Sequence, residues 1–335
     1  MNARLVAFVA VIGCAACGSP GSSERQAVIL EPERIPHQES DERVYRAVEI
    51  EWSDTLDLDI GTAKAIRLLP DSTILVADGG YQTISRYNRR GALLQRFGAP
   101  GPGPGEFEDL RSVIPLSGGR IAGIDVYRRA NVFGTDGLLR SGSLGSGSPN
   151  AVPFEDGFIT ISPLSSPMFR AFNDTLGRTA SFGEPLFPLE RGLFGVGAIV
   201  DGSSAEGAAT ILVTQFSGIM VAYHGNGTPK WSTRTIDPPR LSELRMDGAG
   251  LDAESVSQSV IALNGDSIRF YVLTMVPAAP EMDFSVDVYD IADGAYTYTM
   301  HHLSTECAYR DIRGVLGVQS CGDQRLILQK FNVTE

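Results

Sequence analysis

From residue 43 onward, apolar and polar residues alternate in short runs broken by clusters of Gly, Pro, Asn, Asp and Ser. That is the period of half-buried β-strands, and little of the chain carries the 3.6-residue period of an amphipathic helix. The exception is Asp237-Pro238-Pro239-Arg240-Leu241-Ser242-Glu243-Leu244, where an N-cap residue ahead of proline predicts a short helix.

Two of the strand-rich stretches repeat. Ile66 to Asp78 aligns with Val113 to Asp125, and each continues through a strand ending in an aromatic (Tyr87, Phe133) to a glycine turn followed by leucines (Gly91 to Leu94, Gly137 to Leu139). The offsets are 45 residues for Pro70/Pro115, 47 for Asp78/Asp125 and 46 for Gly91/Gly137. A unit of about 45 residues built from four short strands has the size of one propeller blade. Pro-Asp-Ser and Leu-Ser-Gly-Gly supply the fixed or positive φ of hairpin turns, and the Asp closing the next strand can accept backbone amides beyond it. Further units run from Phe158 to Gly183, from Ile211 to Trp231 and from Ser259 to Gly294. Val315 to Val318 and Arg325 to Phe331 are too little for a full blade, and Val44 to Trp52 can supply the missing strand. The prediction is an all-β, six-bladed β-propeller with N- and C-terminal strands closing the ring, five or seven blades being the alternatives. Closure removes strand edges that would template aggregation.

Between the two clearest units lies Phe97-Gly98-Ala99-Pro100-Gly101-Pro102-Gly103-Pro104-Gly105-Glu106-Phe107. Pro-Gly alternation forbids helix and regular ladder alike, so it suits a crossing from the outer strand of one blade to the inner strand of the next, with Phe107 packed between blades. Together with the Asp, aromatic and Gly positions that follow, this run resembles the junction between NHL-type repeats and related bacterial six-bladed propellers, over residues 63 to 144. Some NHL-like propellers are lyases or lactonases with a metal in the channel, and the resemblance therefore implies a metal-dependent hydrolase or lyase as the alternative to a binding module.

The chain opens with Met1-Asn2-Ala3-Arg4, an uncharged apolar run from Leu5 to Gly13, and Cys14-Ala15-Ala16-Cys17-Gly18-Ser19. A cationic start, a short apolar run and small residues before a cysteine form a secretion signal, short of the ~20 residues that span a bilayer as a helix. The arrangement resembles a bacterial lipoprotein signal, in which the cysteine at the cleavage point is acylated. Cys17 gives the more usual signal length and is preferred, while Cys14 fits the lipobox pattern more strictly and stays open as the alternative. Residues 1–16 are then the signal, 17–42 a flexible tether rich in Gly, Pro, Ser and charge, and 43–335 the propeller. The expected location is extracytoplasmic, lipid-anchored to a bacterial membrane in the periplasm or at the outer membrane. Two or more acyl chains hold a protein there stably, where one does so marginally.

Composition narrows the partners. With 28 Lys+Arg against 40 Asp+Glu the formal net charge is −12, which argues against nucleic acid as a partner. The expected partner, besides the membrane, is a protein, peptide or glycan on one propeller face, and the expected state is a monomer.

Candidate chemistry is sparse, and no catalytic residue is assigned. Cys307 and Cys321 are the only cysteines outside the signal and are expected to form a disulfide in an oxidising compartment, free buried thiols being the alternative. His37, His224, His301 and His302 suggest no metal site, because the adjacent pair points to opposite faces of a strand. Asp71, Asp78, Asp125, Asp136, Asp266, Asp290 and Asp293 all fall near turns, where recurrent Asx-turns are the favoured explanation and a calcium site the other one. No cofactor is expected. Arg89-Arg90 and Arg128-Arg129 are candidate contacts for an anionic partner, or solvated turn charges. Asn226-Gly227-Thr228 and Asn332-Val333-Thr334 have the form of glycosylation sequons.

Overall fold

The computed structural model describes residues 30–39, 42–145, 149–162, 165–188, 197–204, 207–224, 226–238, 240–248, 250–255, 259–276, 283–301, 307–321 and 325–334. Six antiparallel sheets follow one another along the chain. Blade one is Ala63–Leu68, Ile74–Asp78, Thr83–Tyr87 and Leu93–Phe97, and blade two is Leu110–Pro115, Ile121–Asp125, Arg129–Gly134 and Gly137–Ser143. Blade three runs from Ala151 to Phe182, blade four from Gly197 to Arg234 and blade five from Ser259 to His301, each in the same up-and-down order. Blade six takes Cys307–Arg313, Leu316–Cys321 and Arg325–Val333 from the C-terminal end of the chain and Val48–Leu56 from near its start.

The first strand of every blade touches the first strand of the next all the way round, which makes these strands the wall of a central channel. Among the described residues, the buried apolar side chains gather into six clusters, one at each blade interface. Period-two geometry explains the partition. In blade one's second strand, Ile74 and Val76 feed the interface with blade six, whereas Leu75 and Ala77 feed the interface with blade two. A propeller strand is buried on both faces, so Ile74-Leu75-Val76-Ala77 reads as an unbroken apolar run. Ile74, Leu75 and Val76 each contribute about 1.5–3 kcal/mol by leaving water.

The expected ring closure is therefore the observed one, with the N-terminal strand pairing antiparallel to the last strand of the chain over Val48–Leu56. Phe107 is fully buried between blades one and two, its ring lying over Gly123, where a Cβ would come within 2.6 Å of it.

Two expectations are corrected. The described part of 237–244 forms a turn rather than a helix: Glu243 N–H bonds Arg240 O, and Asp237 sits at φ +48°. An N-cap needs extended backbone and a free side-chain oxygen, whereas Asp237 gives its carboxylate to Arg43. The segment from Leu30 to Glu39, assigned to the tether, is packed on the ring instead. Ile35 is buried in the blade three–four cluster, and Arg234 donates to the carbonyls of Ile35 and Pro32. Gln38 donates to the carbonyls of Arg234 and Gly294 and accepts from Tyr296 N–H. Tyr45–Arg46 then adds a parallel strand to the outer edge of blade five.

Candidate functional site

In three consecutive blades the innermost strand carries a one-residue bulge. In blade one Ala63 pairs with Asp78 and Ala65 with Ala77, leaving Lys64 unpaired in a β-bulge. Blade two pairs Leu110 with Asp125 and Ser112 with Ile124, leaving Arg111 unpaired. In blade six Tyr309 pairs with Gln319 and Asp311 with Val318, leaving Arg310 unpaired. A bulge bends its strand and re-aims the extra side chain, and all three extra residues are cations.

Lys64, Arg111 and Arg310 line one cavity of about 240 Å³, together with Arg67 and residues from blades three and five. This cavity is part of the central channel, since the lining strands belong to the inner ring. Arg111 shares its charge with Asp109 at 2.7 Å. Among the described residues no carboxylate pairs with Lys64, Arg67 or Arg310; Arg67 donates only to the carbonyl of Ile66. Of the nearby buried carboxylates, Asp311 and Asp78 are taken up by backbone amides, whereas Asp125, opposite Leu110, keeps its Oδ2 without a partner among the described residues. Asp311 accepts Leu68 N–H and Ile312 N–H, and Asp78 accepts four amides. Tyr309, also in the wall, is pushed up to about 12 by burial, with a Gln319 hydrogen bond opposing, so it remains a neutral phenol donating to Gln329.

A cationic pocket in a protein of net charge −12 is decided by distance. At physiological salt, surface charges more than ~8 Å away are largely screened, whereas an ion pair at 4 Å near a protein surface is worth about 4 kcal/mol. An anion at this wall would meet the four named cations together with Asp109 and the buried Asp78, Asp125 and Asp311 ahead of the acidic exterior.

The loops beside the bulges are tied to them. Asp78 Oδ2 accepts Gly61 N–H at 2.7 Å, and its Oδ1 accepts Thr62, Gly80 and Tyr81 N–H at 2.8, 2.8 and 3.2 Å. The two backbones approach so closely that a Cβ on Gly80 would lie 2.8 Å from Gly61 Cα. Lys64 lays its stem across Gly79. In blade two Val126 N–H bonds Asp109 O, which brings the 126–128 loop to Arg111 in the same way. Each loop carries an exposed tyrosine, Tyr81 at 46% and Tyr127 at 62% exposure.

Of the residues singled out in the sequence, Asp78, Asp125 and the loop of Arg128 lie beside the bulges, and the others lie elsewhere. Arg89 and Arg90 are exposed in the turn between the third and fourth strands of blade one, whereas Arg128 and Arg129 belong to the turn between the second and third strands of blade two. Those turns sit at opposite ends of their blades, so the two pairs are not brought together. Arg129 donates to the carbonyls of Pro102 and Gly103 and holds the Pro-Gly junction. Cys307 and Cys321 form the disulfide, directly opposite each other on paired strands. Asp71, Asp266, Asp290 and Asp293 each accept a backbone N–H two residues on, the Asx-turn arrangement. Asp125 matches Asp78 in the repeat but, among the described residues, accepts only Arg129 N–H, on Oδ1. His37 and His224 are exposed at separate places, and among the described residues no three His, Cys, Asp or Glu side chains gather as a metal site would require. Cys14, Cys17 and His302 lie outside the described residues. The bulge cations were missed, although Lys64 and Arg111 stand 47 apart, the same offset as Asp78 and Asp125.

The chain matches no protein family and no curated sequence. Solved structures do resemble it. A Bacteroides fragilis protein described as exported superposes with a TM-score of 0.60 at 15% identity, over 87% of this chain and 99% of that one. A member of the DUF4221 family from Bacteroides vulgatus gives 0.58 at 10% identity, over 86% and 99%. An inactive variant of virginiamycin B lyase from Staphylococcus aureus, bound to quinupristin, gives 0.52 at 9% identity, over 89% and 98%. They share its fold. Among the described residues, no helix is long and apolar enough to cross a membrane.

Proposed function

We propose that the protein is an extracytoplasmic lipoprotein whose NHL-like propeller is a binding module, taking an anionic ligand at the channel end where the innermost strands begin. Acylation at Cys17, or at Cys14, anchors it to the membrane. The observation that carries this reading is the set of cations at the bulges of blades six, one and two, around one cavity, in an otherwise acidic protein. A bulge needs no particular side chain at its extra residue, since what it changes is the backbone pairing, so a cation at all three is not required by the ladder. The cavity is close to the lower end of the ~300–1,000 Å³ usual for ligand pockets, so it accepts one end of a ligand rather than a folded partner. Arginine suits a carboxylate or phosphate because its planar fork can donate two parallel hydrogen bonds.

Thermal-shift titration with citrate and with short dicarboxylates tests this. The wild type is expected to gain stability with ligand concentration, and the triple variant Lys64→Gln/Arg111→Gln/Arg310→Gln is expected to gain none. Equal gains in both proteins contradict the reading.

A further inference from the structure

The channel mouth repeats its chemistry from blade to blade. In blade one a bulge cation, Lys64, is followed after 17 residues by an exposed tyrosine, Tyr81; in blade two Arg111 is followed after 16 by Tyr127. In both, a backbone hydrogen bond joins the tyrosine loop to the stretch just before the cation: Gly79 N–H bonds Thr62 O, and Val126 N–H bonds Asp109 O. The innermost strands of these two blades touch, so the two pairs are neighbours around the ring. Neither tyrosine belongs to an apolar cluster, and both are exposed.

We infer that this mouth binds an acidic oligosaccharide, each of whose sugar units offers a carboxylate to a bulge cation and the apolar C–H face of its ring to the adjacent tyrosine. The inference rests on the proposed anion-binding role of the channel and narrows it to a class of ligand. A carboxylate alone would need the cations only. An exposed tyrosine on the loop tied to each cation's strand adds a partner for a flat, partly apolar body that also carries charge. Two such pairs, one blade apart, match a ligand that is itself a repeat, since linking two weak contacts multiplies affinity without new chemistry. An acidic peptide is the competing class. Its carboxylates can meet Lys64 and Arg111, but a run of acidic residues offers the tyrosines no ring face.

Isothermal titration of the full folded chain with trigalacturonate, galacturonate, a neutral trisaccharide and triglutamate decides it. Trigalacturonate is expected to bind at least about tenfold more tightly than galacturonate, with the neutral sugar weaker still. Lys64→Gln and Arg111→Gln are each expected to weaken trigalacturonate by about tenfold. Tyr81→Ala and Tyr127→Ala are each expected to weaken it by about fivefold while leaving triglutamate unchanged. Both tyrosines are exposed, so an unshifted melting temperature confirms that their variants fold. Triglutamate binding as tightly as trigalacturonate, or silent tyrosine variants, overturns the sugar class while leaving the anion site standing. No trigalacturonate heat at millimolar concentration also overturns it. Trigalacturonate binding that ignores both cation variants overturns the sugar class and the anion site together.

Discussion

The Oδ2 atom of Asp311 accepts the backbone N–H of Leu68 at 2.7 Å, across the seam between blade six and blade one. These residues are 243 apart in sequence, and both are buried. Their bond therefore forms only when the ring is complete. Asp311 also takes Ile312 N–H, so one carboxylate satisfies two amides on adjoining innermost strands. Asp311→Ala leaves both without this acceptor and is expected to cost about 3 kcal/mol. At about 2 °C per kcal/mol for a domain of this size, calorimetry should show a fall of roughly 6 °C, with Asp311→Asn intermediate. An unchanged melting temperature contradicts the role of Asp311 as a seam bond.

A second buried charge fixes the N-terminal segment. Asp287 accepts the Thr274 and Thr299 hydroxyls at 2.6 and 2.7 Å and both Nε and Nη2 of Arg43 at 3.2 Å. Burial pulls the Arg43 guanidinium down, but Asp287 and then Asp237 outweigh it, and its proton is held above the ordinary arginine value. Arg43→Met strands the Asp287 charge without its cation and should cost about 3 kcal/mol. Hydrogen exchange should then rise first over residues 42–46, ahead of the blade strands.

The Cys307–Cys321 bridge closes a loop with a sequence separation of 14. By the chain-entropy account, its loss in Cys307→Ala/Cys321→Ala should cost about 3 kcal/mol, and reductant should lower the melting temperature of the wild type but not of the variant.

Acid should loosen the turn of blade one. Partial burial pushes the Asp71 carboxyl up, but the Thr73 hydroxyl and amide and the Arg86 guanidinium hold it below its ordinary value. Because the folded value lies below the unfolded one, its contribution is present above the ordinary carboxylate range and is lost as pH falls through the folded value. NMR titration should find Asp71 protonating at lower pH than an Asp in the unfolded chain. Protonation at or above that reference contradicts the assignment.

Anchoring has its own test. Cys17→Ala, or Cys14→Ala if that cysteine is the one used, should move the protein from the membrane to the soluble fraction. Retention in the double variant rules out the lipid.

The ring was legible because turn chemistry and period-two burial recur with each blade. Asp78 and Asp125, Tyr87 and Phe133, and the glycine turns mark the first two units. Val48–Leu56 falls where a missing strand had to be found. The bulge cations were harder to see, since a bulge is a property of how two strands pair, and Lys64 read alone is one more charge between alanines. Asp237 shows the opposite failure. Its local signal for a helix is real, but a tertiary ion pair with Arg43 takes the side chain that would have capped it. Leu30 to Glu39 read as linker because the groups holding it, Arg234 and Gly294, lie some 200 residues or more away.

The measurement that bears most directly on the account is hydrogen exchange of the folded protein with and without a saturating carboxylate ligand. Protection is expected over 61–67, 109–115 and 307–313, the three bulged strands around the channel, with the outer strands Leu93–Phe97 and Gly137–Ser143 unchanged. Protection confined to those outer strands, or none along the channel wall, would contradict it.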